Sequence, residues 1–258
     1  MIVNTGILVL LLAAASKETE TRTFPVEGVE RQAMIYAGSQ SAPESGAPLV
    51  FVFHGHGRTA RHSAEKFQIH KLWPEAVVAY MQGLPGIEGK TDPEGKKSGW
   101  QKARGMVDDR DVKFVDVVLE QLQKEYKIDP NRVYAMGHSN GGRFTNVLWN
   151  MRGDKFAAFC SGSGQGGELL LDAIPKSIFI IAGEKDALVP FQSQLLSVEY
   201  ARKLLQTDSS RTVTHGHAQM EPGTNDTELV TYLHPGGHEW PQEATPMVVK
   251  FFQRHVRK

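Results

Sequence analysis

Short runs of unbroken apolar residues set the first constraint on this chain. "PLVFVF" (48–53), "AVVAYM" (76–81), "RVYAM" (132–136) and "SIFIIA" (177–182) lack the polar alternation of a half-exposed strand. Such runs suit strands covered on both faces, the usual state of a parallel sheet. "RQAMIY" (31–36), "FAAFC" (156–160) and "LVTYL" (229–233) add further strand-like segments. Helical spacing fills the intervals. Val115, Val118, Leu119, Leu122 and Tyr126 form one apolar stripe, which stops before Pro130. Phe144, Val147, Leu148 and Met151 mark a second helix, and residues 195–205 a third. The last helix is expected to start with Thr245 as N-cap and Pro246 at its first position. Strands alternating with helices predict an α/β fold, with a mostly parallel central sheet and helices on both faces. No linker divides the chain, so residues 16–258 read as one domain. In such folds, reactive groups sit on loops leaving the C-terminal ends of strands.

Lys plus Arg and Asp plus Glu number 29 each, so the formal charge is zero and nothing favours a nucleic-acid partner. "ILVLLLAAAS" (7–16) is too short to span a bilayer but suits the apolar core of a secretory signal. Ala13 to Ala15 would supply its small-residue cleavage site, although "MIVNTG" lacks the customary basic residue. The expectation is a signal over residues 1–15 and a secreted or periplasmic mature protein with no membrane span. Cys160, the single cysteine, allows no intramolecular disulfide and reads as a core residue.

"AMGHSNGGRF" (135–144) places Ser139 in a G-x-S-x-G pattern between a strand and a helix. That context suits a nucleophile elbow, a sharp turn that exposes the hydroxyl. A serine needs a base, and His238 follows the strand "LVTYL" in a Gly-Gly loop, with His234 in reserve. The third member should be a carboxylate after the preceding strand. Asp186 fits and Glu184 could substitute, whereas Asp172 precedes its strand. The order Ser139, Asp186, His238 is that of α/β-hydrolases. Oxyanion donors are expected from the Asn140 N–H and from His56 or Gly57 in "HGHGRTA" (54–60). The stretch 83–105 is a candidate binding loop. Its Trp100 reads equally as a pocket wall or as packing beneath the loop, and His138 and Trp240 are further candidates for substrate contact. "HGH" recurs at His54/His56 and His215/His217, but no Asp/His cluster completes a metal site, so no metal is expected.

With these residues in place, the chain resembles the esterases that join polyhydroxybutyrate depolymerase-like and LpqC-like proteins to family 1 carbohydrate esterases. The resemblance spans roughly residues 25–255. It rests on "VFVFHGHG", Gly99-Trp100, the run from Asp108 to Gly142, and "GGHEWP" around His238. It implies an α/β-hydrolase fold, no cofactor, and cleavage of a small or polymeric ester through an acyl-serine. Feruloyl or acetyl esters of polysaccharides are the substrates it implies, with a polyhydroxyalkanoate depolymerase as the alternative. A non-catalytic binding protein on the same scaffold is the reading from another class. Two departures stand out: His56 occupies the place of a frequent Cys, and Arg58 that of a frequent glycine.

Overall fold

The computed structural model describes residues 19–38 and 40–257. The signal-like segment therefore lies outside the described residues. Ten strands form one sheet: β1 (Glu20–Val26), β2 (Val29–Tyr36), β3 (Ala47–Phe53), β4 (Val77–Met81), β5 (Ile128–His138), β6 (Ala158–Gly162), β7 (Ser177–Gly183), β8 (Val213–His215), β9 (Ala218–Pro222) and β10 (Glu228–His234). Their order is β1-β2-β4-β3-β5-β6-β7-β10-β9-β8. The six central strands run parallel, and antiparallel pairs close both edges.

The apolar runs populate that parallel centre. Alternate residues of β3 feed opposite cores: Leu49, Phe51 and Phe53 face one side, Val50 and Val52 the other. The first core is capped by α3 (Arg110–Glu125), α4 (Asn140–Arg152) and α5 (Phe191–Leu205). The second is capped by α1 (Ala60–Phe67), α2 (Ile69–Leu72) and α6 (Ala244–Arg254), and it contains Cys160. The expected α/β architecture with helices on both faces is the one observed. Among the described residues, no helix is long and apolar enough to cross a membrane.

Some local expectations differ. β1 has no counterpart in the apolar runs, because it is an edge strand that contains Pro25 and alternates exposed with covered residues. α6 starts at Ala244 after Glu243, so Thr245 lies inside the first turn instead of capping it. Its hydroxyl accepts the Trp240 indole N–H (2.9 Å). The second "HGH" belongs to a hairpin between β8 and β9, with Gly216 at φ 60°.

β3 connects leftward to β4, and the chain then crosses back to β5 on the other side of β3. The C-terminal ends of β3 and β5 thus flank the point where the winding reverses, the usual crevice of an open α/β sheet. Phe53 pairs with Gly137 there, which sets residues 54–58 beside Ser139. Farther along, His234 pairs with Gly183, and this register brings the loops after β7 and β10 together.

Candidate active site

Ser139 sits at the tip of the strand-to-helix turn with φ 59° and ψ −121°, a sparsely populated region for a residue with a Cβ. Holding such a conformation costs about 1–3 kcal/mol, so the surroundings must enforce it. Its N–H donates to the Gly162 carbonyl (2.7 Å), and its carbonyl accepts the Arg143 N–H (2.9 Å). A Cβ at Gly137 would lie 2.3 Å from the Gly141 carbonyl oxygen, so only glycine lets the chain double back this tightly.

His238 reaches the elbow from the loop after β10. Its Nδ1 lies 2.7 Å from Asp186 Oδ2, and its Nε2 lies 2.8 Å from Ser139 Oγ. A carboxylate only accepts, so Nδ1 carries the proton and Nε2 is left to accept from the hydroxyl. Asp186 is itself fixed: Oδ1 accepts the N–H groups of Leu188 and Val189 (2.9 Å each), and Oδ2 accepts the Gln194 amide (3.0 Å). The loops of acid and base are laced by Glu184 N–H to His234 O and Lys185 N–H to Gly236 O, both 2.9 Å. A side chain at Gly183 would meet the Gly237 carbonyl at 2.0 Å, so these loops close only around glycine. The reserve residues stay apart from the serine. His234 is buried with Nε2 unpartnered among the described residues, and Glu184 is exposed.

The oxyanion candidates separate. The Gly57 N–H is spent on the Ser98 carbonyl (2.7 Å), which removes it as a donor. Among the described residues, no acceptor takes the N–H of His56 or Asn140. The Asn140 side chain has a task the motif did not reveal. Its Oδ1 accepts the Trp100 N–H (2.8 Å) and its Nδ2 donates to the Trp100 carbonyl (2.9 Å). The His56 ring contacts Asp92 Oδ2 (2.9 Å), and Asp92 also accepts the N–H groups of Lys97 and Lys96. Those bonds, the Lys97 N–H first, hold the Asp92 carboxyl below its usual range. The His56 contact of Asp92 and the side-chain role of Asn140 join residues 36 and 40 positions apart, and no local pattern announces them; Gln194, eight residues after Asp186, carries no motif that marks it.

Trp100 and Trp240 do not reach the substrate side. Trp100 is fully buried, stacked on Phe144 with its indole N–H on the His54 carbonyl (2.9 Å). It is packing beneath the loop. Trp240 is wedged against Phe67 and Gly162. Aromatic bulk at these positions fills the core, which accounts for the departure from the substrate-contact expectation. His138 does line the site, its ring 5.1 Å from that of His238. Burial, followed by the nearby cations, pushes its imidazole well below the ordinary value and keeps it neutral.

His54 is buried, with Nδ1 on the Gly55 carbonyl (2.8 Å) and Nε2 accepting the Gly83 N–H (2.9 Å). Both ring nitrogens are occupied, which leaves it no free lone pair for a metal. Among the described residues, no three His, Cys, Asp or Glu side chains converge as a metal site would require.

Ser139 lies where two clefts meet. One, of about 160 Å³, is lined by His56, Lys90, Asn140, Arg143, Leu188 and Val189 among others. The second, of about 280 Å³, is lined by Arg58, His62, Lys66, His138, Leu188 and His238 among others.

The chain has recognisable relatives among known proteins. Residues 95–167 match the prolyl oligopeptidase family. The chain is 31% identical over 170 residues to the bifunctional acetylxylan esterase/xylanase XynS20E of Neocallimastix patriciarum, covering 64% of this chain and 23% of that protein. It is 31% identical over 187 residues to the putative esterase NocK of Nocardia uniformis subsp. tsuyamanensis, covering 69% and 51%. Feruloyl esterase B of Piromyces equi is 25% identical over 176 residues, covering 65% and 31%. The chain thus spans about half or less of each of these relatives. Among solved structures, an acetyl xylan esterase from Aspergillus awamori superposes with a TM-score of 0.64 at 13% identity, covering 90% of this chain and 99% of that one. A ferulic acid esterase gives 0.66 at 14%, covering 92% and 98%. At these identities the superpositions speak for the fold, and the sequence matches speak for kinship. The chain has an α/β-hydrolase-like fold, and its sequence is similar to those of acetylxylan and feruloyl esterases.

Proposed function

We propose that this protein hydrolyses carboxylic esters through an acyl-serine at Ser139. The observation that carries the reading is the unbroken hydrogen-bond chain from Ser139 Oγ through His238 to Asp186. His238 Nε2 takes the hydroxyl proton as Oγ attacks the ester carbonyl. The N–H groups of Asn140 and His56 hold the resulting oxyanion, helped by the N-terminal end of α4. His238 then gives its proton to the leaving alcohol oxygen. Water enters, loses a proton to His238 and attacks the acyl carbonyl, and Ser139 recovers its proton as the acid departs. Asp186 holds the imidazole in the tautomer that this sequence of steps requires.

The smaller cleft, which includes Asn140 and not His238, suits the acyl group. The larger one, lined by His238, suits the alcohol that His238 must protonate. The names of the relatives support acetylated or feruloylated carbohydrate as the substrate class. Wild-type protein is expected to hydrolyse 4-nitrophenyl acetate and to be labelled by a fluorophosphonate. Ser139→Ala should lower that rate by about 10⁴-fold or more while its circular dichroism spectrum stays unchanged. Retained hydrolysis in the variant would reject Ser139 as nucleophile. An unlabelled, inactive wild type would favour a binding protein on this scaffold.

A further inference from the structure

The chain as a whole is neutral, with 29 basic and 29 acidic residues, yet the two clefts beside Ser139 do not share that balance. Neither lining includes an Asp or Glu. In the smaller cleft the cations are partly met. Arg143 contacts Glu168 (2.9 Å), and the Lys102 ammonium donates to the Glu88 carbonyl. In the larger cleft they are not: among the described residues, Arg58, His62 and Lys66 form no ion pair.

The local sequence forces these three together. Arg58 precedes Thr59, the N-cap of α1, and His62 and Lys66 follow at i and i+4 on one face of that helix. The field of the neighbouring cations is legible in Lys66 and His62. Burial first, and then Arg58, lower the Lys66 ammonium below its usual value. Burial lowers His62, with Arg58 and Lys66 adding to it. Glu239 and Glu65 oppose these shifts only weakly. Arg58 and Lys66 thus bring two positive charges to the wall of one cleft that carries no carboxylate. The Lys66 ammonium lies over the Phe67 ring at 5.9 Å, but no carboxylate of the cleft wall offsets the paired positive charge. An anion held in the cleft would offset it, through charge-assisted bonds to a guanidinium and an ammonium.

We propose that the larger cleft receives the alcohol half of the ester and selects alcohols that carry an anionic group, a carboxylate or a phosphate, set between Arg58 and Lys66. The inference rests on the ester-hydrolase reading above and adds the charge of its substrate. The side of the ester follows from His238, which lines this cleft and must reach the leaving oxygen.

The test compares four esters: phenyl acetate, 3-carboxyphenyl acetate, 3-acetoxyphenyl phosphate and monophenyl succinate. A carboxylate in the meta position barely alters phenol acidity, so differences from phenyl acetate report binding. The wild-type kcat/KM for at least one anionic-alcohol ester should exceed that for phenyl acetate about tenfold, mainly through KM. The advantage should shrink in high salt. Comparing the carboxylate with the phosphate identifies the preferred anion. Arg58→Ala and Lys66→Ala should each bring the anionic-to-neutral ratio toward one, whereas Lys203→Ala, on the remote α5, should leave it in place. A wild-type ratio of one or less, a preference for the succinate, or a ratio unmoved by both cleft variants would overturn the proposal. Failure of the underlying reading looks different: no ester would be cleaved and Ser139 would take no fluorophosphonate, and the substrate inference would fall with it.

Discussion

Two buried carboxylates, Asp111 and Asp186, have fully covered side chains and yet are held to different ends. Asp111 meets a permanent cation. Its Oδ1 accepts from Arg31 (2.8 Å), whose guanidinium lies over the Phe114 ring at 4.3 Å. Its Oδ2 accepts the Gln101 N–H (2.7 Å). This locks β2, the loop carrying Trp100 and the start of α3 into one block, and no proton need move. Asp186 meets an imidazole, which can gain and lose charge and which reaches on to a hydroxyl. The same acid in the same degree of burial is a fastener in one place and, in the proposed mechanism, a proton-transfer support in the other. The partner decides which.

The comparison can be broken by removing charge from each acid in turn. Asp186→Asn should lower kcat for 4-nitrophenyl acetate by about 10⁴-fold, since an amide can present its N–H to Nδ1 and favour the wrong tautomer. Its side-chain oxygen can still accept from Leu188 and Val189, so the thermal midpoint should move far less than the rate. Asp111→Ala should do the reverse. It leaves the Arg31 guanidinium buried without its counter-charge, and urea unfolding should show a loss of about 3–5 kcal/mol. The folded fraction should keep most of its kcat. If Asp111→Ala instead lost activity with stability intact, the division between the two acids would be wrong.

A third buried group gives a smaller and pH-dependent effect. Burial pushes the His54 imidazole down to about 4, from 6.5. The folded protein therefore resists a proton that the unfolded chain accepts. The resulting contribution is full above pH 6.5 and is lost as pH falls toward 4, by about 3 kcal/mol at most. His54→Gln should flatten that part of the stability profile between pH 7 and pH 4. Parallel profiles for variant and wild type would show that His54 is not the group responsible.

What could be read in the sequence followed from locality. Ser139, Asp186 and His238 each follow a strand, so chain order and strand ends pointed to them, while Glu184 and His234 stayed open until the hydrogen bonds of His238 were seen. The central strands were legible because coverage on both faces leaves no polar residues to confuse the pattern. The edges were not. β8 is three residues long and exposed throughout, and α1 is only eight residues long, with a covered face built mostly of small residues, Ala60, Ser63 and Ala64 beside Phe67. Within the site, the sequence left His56 and Gly57 equivalent as donors, and a single bond from Gly57 to Ser98 separates them. Trp100 lay between two readings until its burial placed it under the loop. Both distinctions depend on chain segments about 40 residues apart meeting in space.

The stretch after β4 rises from a closed neck. Leu84 and Gly99 bridge to each other, and the Gly99 N–H donates to the Leu84 carbonyl (2.9 Å). Immediately beyond the neck, Trp100 is gripped by the Asn140 side chain. Residues 85–98 are thus an excursion anchored at both ends, and within it Asp92 and Ser98 also fasten His56 and Gly57. Lengthening such an excursion costs only a logarithm of its length in closure entropy. One wall of the smaller cleft, at Gly89, Lys90 and Thr91, can therefore be rewritten by insertion or deletion while the serine keeps its place. The molecule separates what may diverge among descendants from what must hold still.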